Sequence, residues 1–452
     1  MLSAIDTDGV EDGFVVGEAS GLAIPAHPEA LAAAGPAFLT RAFQDFGSLP
    51  PDNRVARIAN IEPCMIGSTG QKLFLTVEYE HPSPSLATEL FVKFSRHFSD
   101  WFHDRRRFEL ESEVHFYRLA SKPGFPISVP KACFGDFDPA SGTGVLITER
   151  IAFDTGRIEP LCAKCMDHEL RAPLDHYRAI VTALARLAGA HHAGRLSPEV
   201  DRFFPFDAEA VAREDPIERT EEELRTLVAH YARFAEVCPR LLPERVRSTE
   251  FIKRLERNVL AIARHQQAIK RFLHADPRFV ALTHFNPNID NAWFWRDDAG
   301  VLQCGLFDWQ RARQMNVAYA LWGGLCGGGL EIWTDHLDEL LVLFVDEFQA
   351  NGGPKLPVAT LTLHLHLYAA TIGIAGLLEA PAVIHSRLPG VEQVSGLLDP
   401  VLLGNEGARC FLHVFTAFLN FWDMHGFSSE LETILEEITG EPPGVGEGGP
   451  SR

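Results

Sequence analysis

The chain has 452 residues, 46% hydrophobic and 23% charged, a globular composition that excludes a disordered or fibrous polypeptide. That length holds roughly two or three domains or one large two-lobed enzyme. The formal net charge of −20 excludes non-specific nucleic-acid binding, which needs basic patches to meet phosphate.

Much of that charge lies at the ends. Residues 1–40 carry acidic side chains and no Lys or Arg, and residues 430–452 are also acid-rich, so the middle is only mildly acidic. Residues 1–35 read as a loosely held acidic tail. The start, MLSAIDTDGVEDG, has no apolar core, so no secretory signal is expected. Reduced cysteines and a cytoplasmic location follow as the default. Residues 36–46 (PAFLTRAFQDF) have the spacing of a short amphipathic helix.

Strand composition then dominates. The spacing predicts strands over 55–66, 73–79, 89–94 and 145–149, and a helix over 105–120 with Leu110, Val114 and Tyr117 on one face. Gly67, Ser68, Thr69 and Gly70 form a turn between the first two strands. Residues 135–144 read as an Asp/Gly turn cluster. From Asp175 onward helical patterns take over, at 175–192, 221–237, 250–273 and much of 331–425. An island of strand and loop character, 279–308, interrupts them. The tail from 440 is Gly/Pro/Glu-rich and reads as disordered. The expected organisation is a β-rich lobe over 36–150 and a helical lobe over 151–439. The uncharged stretch 356–378 contains Pro357, His364 and His366, and reads as a buried helix rather than a membrane span. Cys162 and Cys165 form a C-x-x-C with no second pair to complete a zinc site.

The island reads THFNPNIDNAWFWRDDAGVLQCGLFDWQ. A β-hairpin across the 297–300 turn would bring Asn291 and Asp308 together. Two oxygen side chains at a loop mouth suit Mg²⁺, which takes few protein ligands and fills its shell with phosphates and water. A cap Asn and a turn Asp fit the same residues. Earlier in the chain, Lys93 sits inside an otherwise apolar strand, where it must meet an anion or snorkel outward. Glu113 on the following helix could pair with it. The turn of Gly67, Ser68, Thr69 and Gly70 either lays backbone N–H groups over phosphates or simply joins two strands. Taken in order, these parts are what phosphoryl transfer on a bilobal kinase scaffold needs.

In these motifs the sequence resembles the aminoglycoside phosphotransferase and choline-kinase-like branch of the protein-kinase-like fold, over about residues 50–425. His284-Phe285-Asn286-Pro287-Asn288-Ile289-Asp290-Asn291 stands where that branch has H-G-D-x-x-x-x-N, and Leu306-Phe307-Asp308-Trp309 is similar to its apolar strand ending in D-W. Glu113-Val114-His115-Phe116-Tyr117 resembles its E-x-x-F-Y helix, Ile147-Thr148-Glu149 its hinge strand, and residues 187–193 its helix ending in L-H-A.

The resemblance implies a bilobal α+β fold and an enzyme using ATP and Mg²⁺ to phosphorylate a hydroxyl of a small molecule. It implies that Lys93 holds phosphates and Glu113 orients it. Asn291 and Asp308 would bind the metal, and residues 148–151, with Glu149, would contact adenine. His284, Asn286 and Asp290 would line the catalytic loop. The departure is Asn286, where the family has Asp, preceded by Phe285 in place of Gly. An amide accepts no proton at neutral pH, so general-base help of about 10²–10⁴ would be lost. Asp290 could substitute as base, or be a solvated loop acid. The alternative is a pseudokinase that binds nucleotide without transfer. The acceptor itself is not legible.

Overall fold

The computed structural model describes residues 10–65, 67 and 69–440. Of the residues expected to act, Ser68 lies outside these, as does the 441–452 tail. The chain forms two compact units. A β-rich N-terminal region is followed by a large helical one, the element order of the expected α+β protein-kinase-like fold.

The first unit comprises the described residues up to 160, together with 194–205 and 291–313. Its centre is a five-stranded antiparallel sheet. In spatial order the strands are β3 (Val55–Pro63), β4 (Lys72–Tyr79), β5 (Glu89–Phe94), β7 (Thr143–Glu149) and β6 (Ala132–Asp138). β4 alternates buried Leu73, Leu75, Val77 and Tyr79 with less buried residues, the period that pleating imposes on a sheet with one covered face. β6 was hidden in the expected 135–144 turn cluster. Gly135 belongs to that strand, where a Cβ would come within 3.1 Å of Leu146 on β7, so a residue that reads as a turn signal marks a close packing contact.

The acidic N-terminal stretch is not a loose tail from residue 14 on. β1 (Phe14–Val16) pairs with β2 (Ala23–Pro25), and a helix runs from Pro28 to Phe46. His27 caps it through the Ala30 N–H. Gly35 (φ 63°) and Pro36 kink it, which is why local signals placed the start at 36. Leu31, Leu39 and Phe43 of this helix are buried with Leu75, Val92 and Ile147 of the sheet in one core. Burial of an apolar face holds an acidic segment that has little strand or helix signature of its own. The expected helix over 105–120 is Glu109–Ala120, preceded by the short Trp101–Asp104 helix.

The second unit comprises, of the described residues, 161–193, 206–290 and 314–440. Long helices Pro173–His192, Glu221–Val237, Thr249–Ala275, Leu337–Ala350, Val358–Gly376 and Glu406–Trp422 build it. Val358–Gly376 is apolar enough to cross a membrane by length and composition, but 61% of that stretch is buried inside the protein. His364 and His366 are polar points in its core: His364 meets the Asn316 amide at 2.9 Å, and His366 meets His425 at 3.1 Å. The domain division therefore differs from the expected one. Asn291 and Asp308, assigned to the helical lobe from sequence, fall in the first unit.

Candidate active site

In the first unit, β5 carries Lys93 opposite Lys72 of β4 and Leu146 of β7. Its side chain is only 4% exposed. A lysine can be buried there because two carboxylates reach it. Glu113, from the Glu109–Ala120 helix, places Oε2 at 2.7 Å from Nζ, and Asp308 places Oδ1 at 2.5 Å. Glu113 Oε1 accepts the Trp309 backbone N–H at 3.0 Å, so both of its oxygens are engaged. Burial alone would lower the Lys93 ammonium; Asp308 and Glu113 outweigh it and hold the group above the ordinary lysine value. Burial pushes Glu113 up, against the pull of Lys93. Lys93 is thus a fixed cation.

The hairpin expected over the island forms. Ala292–Arg296 pairs with Leu302–Leu306, Ala292 standing opposite Leu306. The Phe307 N–H donates to the Asn291 carbonyl at 3.0 Å. Asn291 therefore stands opposite Phe307, the residue before Asp308, just beyond the paired strand ends. Asp308 takes a left-handed backbone (φ 62°), a conformation Asp tolerates better than most residues. Trp309 anchors this turn: its ring stacks on Phe116 at 3.6 Å, and its indole N–H donates to the Leu306 carbonyl at 3.0 Å. The Asp308 side chain stays 41% exposed while one oxygen meets Lys93. One carboxylate and one amide oxygen are the hard, sparse donor set that suits Mg²⁺, which retains several waters and takes phosphate oxygens.

Gly67, Thr69 and Gly70 sit at the same end of the sheet. Gly70 has φ 52°, and a Cβ there would lie 1.8 Å from the Phe94 carbonyl, so only glycine fits. Thr69 is buried, and its hydroxyl donates to Gln310 Oε1 at 3.0 Å, two residues past Asp308. At the far end of β7, Glu149 Oε1 accepts the Lys131 backbone N–H at 2.9 Å. That carboxylate staples two strand ends, and the Arg150 guanidinium lies over the Phe74 ring at 3.7 Å.

The catalytic-loop sequence lies in the second unit. His284 is fully buried, and its Nδ1 accepts the Asn286 N–H at 3.0 Å, which leaves the ring proton on Nε2. Phe285 packs on Tyr319 with ring centroids 5.4 Å apart. The Val317–Leu325 helix is cut to fit the loop. A Cβ on Gly323 would lie 2.4 Å from the Phe285 carbonyl oxygen and 2.9 Å from Pro287. Asn288 Oδ1 accepts the Ile289 N–H at 2.9 Å. Asp290 is not a solvated loop acid: its side chain is 12% exposed, with Oδ2 at 3.6 Å from Lys164 Nζ.

The structure thus brings together Lys93, Glu113 and Asp308, with Asn291 at the adjoining hairpin end and Gly67, Thr69 and Gly70 at the same sheet end, while Glu149 lies at the other end of β7. His284, Asn286 and Asp290 share one short loop. Sequence reasoning missed Lys72, which opens β4 and reads as an ordinary strand-edge cation. It also missed the Arg96–Asp104 pair, both side chains buried and joined at 2.8 Å and 3.2 Å. The charged pair eight residues apart carried no local signal. Gly323 carried no local signal either, since its close approach to the Phe285 carbonyl is a contact between separate segments.

No protein-family model and no curated protein matches the chain. Among solved structures, it is similar to an aminoglycoside 3'-phosphotransferase of type VIII (19% identity, 68% of this chain and 93% of that one, TM-score 0.34). It is also similar to choline kinase from Cryptosporidium parvum (11% identity, 84% and 91%, TM-score 0.40). A third is a choline/ethanolamine kinase family protein from Mesorhizobium loti (14% identity, 85% and 98%, TM-score 0.37).

Proposed function

We propose that the protein is an ATP-dependent phosphotransferase that moves a γ-phosphoryl group to a hydroxyl of a small molecule. The observation that carries this reading is the buried Lys93 held at 2.7 Å by Glu113 and at 2.5 Å by Asp308. Replacing such a group with apolar residues is often neutral or stabilising, so stability alone does not account for it. A phosphate-binding cation, its orienting carboxylate and a metal carboxylate account for all three.

In this reading Lys93 contacts the nucleotide phosphates and Glu113 keeps its ammonium aimed. The Asp308 carboxylate and the Asn291 amide oxygen would hold Mg²⁺, which would supply charge neutralisation to the nucleotide phosphates. Gly67, Thr69 and Gly70 cover the phosphates, and residues 148–151 face adenine with their backbone. The acceptor oxygen bonds to the γ-phosphorus as the bond to the β–γ bridging oxygen breaks, its electron pair leaving with ADP. Asn286 orients the acceptor hydroxyl without taking its proton, which passes to an oxygen of the transferred phosphoryl group. His284 fixes the loop by accepting the Asn286 N–H. Such a reaction depends mostly on positioning and electrostatics, so it survives loss of the base at reduced rate.

One observation favours a second reading, a nucleotide-binding pseudokinase. The loop carries an amide at Asn286, and Asp290, the nearby carboxylate, is turned toward Lys164. Single-turnover transfer from γ-labelled ATP separates the two. The acceptor panel is aminoglycosides, choline-like amines, sugars and hydroxylated lipids, with Asp308→Ala as the blank. Wild type should transfer slowly, and Asn286→Asp should transfer faster, by at most about 10²–10⁴. If Asp290 is the base, Asp290→Asn abolishes transfer and Asn286→Asp changes little. Mg·ATP binding with no transfer by wild type or Asn286→Asp would leave the pseudokinase standing.

A further inference from the structure

Lys93 is not the only lysine at its end of the sheet. Lys72 opens β4 directly opposite Lys93 on β5. Cross-strand partners project to the same face with Cβ atoms about 5 Å apart, and like charges there oppose pairing. Two facing lysines therefore need anions close by, and the two carboxylates present are both bonded to Lys93.

The two ammonium groups are not equivalent. Lys93 is ion-paired to Glu113 and Asp308. Lys72 makes one hydrogen bond, to the Thr69 carbonyl at 2.5 Å, and has no ion pair among the described residues. An ammonium has three donors, so two remain. Its surroundings are those already assigned to phosphate: a Cβ on Gly67 would lie 3.1 Å from Lys72 Nζ, and Thr69 is tied to Gln310 beyond Asp308. If Glu113 serves Lys93 and Asp308 serves the metal, Lys72 is the cation left without a counter-charge. Burial first, then the like charge of Lys93, push it down to about 8, while Asp308, Glu113 and Cys64 pull the other way. Its charge is costly in this position until an anion arrives.

We infer that Lys72 is a second phosphate-binding cation, which contacts the polyphosphate chain beside Lys93 and selects nucleoside triphosphate over monophosphate. The inference rests on the nucleotide reading above and names how that site distinguishes its ligands.

Calorimetric titration of the full chain with Mg·ATP and with AMP tests it, for wild type, Lys72→Met and Lys72→Arg. A charge-assisted hydrogen bond predicts that Lys72→Met weakens Mg·ATP binding about 10-fold or more. AMP binding should stay within about twofold, and Lys72→Arg should keep most of the ATP affinity, since it retains the charge. Lys72→Gln replaces Lys72→Met if the latter does not fold. Mg·ATP binding by Lys72→Met within about twofold of wild type overturns the inference, as does an equal loss of ATP and AMP affinity. Failure of wild type to bind Mg·ATP at all is a different result, and overturns the nucleotide reading itself.

Discussion

Glu113 serves two partners at once, so its removal has a cost that can be worked out. Glu113→Ala leaves the Lys93 ammonium, 4% exposed, with Asp308 alone, and leaves the buried Trp309 N–H without its acceptor. Breaking one side of a buried pair costs about 3–5 kcal/mol, and an orphaned buried donor about 1–3 kcal/mol. The two overlap because one carboxylate meets both, so we expect a loss of about 3–6 kcal/mol. Glu113→Gln keeps an acceptor for Trp309 and should lose roughly half as much. In the double variant Lys93→Met/Glu113→Gln both charges are gone. Its stability should return to within about 2 kcal/mol of wild type, because no unpaired ion is left buried. The double variant should nonetheless fail to bind Mg·ATP. Equilibrium urea unfolding measures the stabilities, with tryptophan fluorescence as probe, since Trp309 stacks on Phe116 beside the pair. If Glu113→Ala unfolds within about 1 kcal/mol of wild type at an unchanged urea slope, the carboxylate is not holding Lys93 and the site argument falls.

Two further outcomes follow from packing and burial. Gly323→Ala puts a Cβ 2.4 Å from the Phe285 carbonyl, so the 284–291 loop must shift. The protein should stay folded with a loss of about 1–3 kcal/mol, and phosphoryl transfer should fall far more than Mg·ATP affinity; equal transfer rates would show that the loop does not depend on this contact. His366 stacks between Phe421 at 3.8 Å and Phe427 at 4.7 Å, and burial pushes its imidazole down to about 3. Between about pH 6.5 and that value the unfolded chain binds a proton the native state refuses, so stability falls on acidification, by about 2 kcal/mol at pH 5. His366→Phe should lose less between pH 7 and pH 5 in urea midpoints, and an identical loss would refute the assignment.

Most of the strands and long helices were legible because their signals are local. β5 was read at its true bounds, and the hairpin joining Asn291 to Asp308 announced itself by its turn and its flanking apolar runs. Lys93 stood out because it breaks an apolar strand, and Glu113 because it lies on the following helix where it could pair with that lysine. β6 was misread, since its Asp and Gly residues mimic a turn, whereas Gly135 is there for contact with Leu146. The N-terminal helix was cut short at Pro36, because the Gly35 kink looks like a boundary and only burial of Leu31 against the sheet core shows that the chain continues.

The sequence by itself determined the succession of a β-rich half and a helical half, the presence of a lysine inside an apolar strand, and the absence of a carboxylate at Asn286. Those facts depend on residue type and on neighbours a few positions away. Only the tertiary structure decided that Lys72 faces Lys93, that Asp290 turns to Lys164, that Arg96 is buried against Asp104, and that Gly323 clears room for the Phe285 carbonyl. Each of these is set by strand register, burial or close approach between separate segments, and no local window of sequence carries that information.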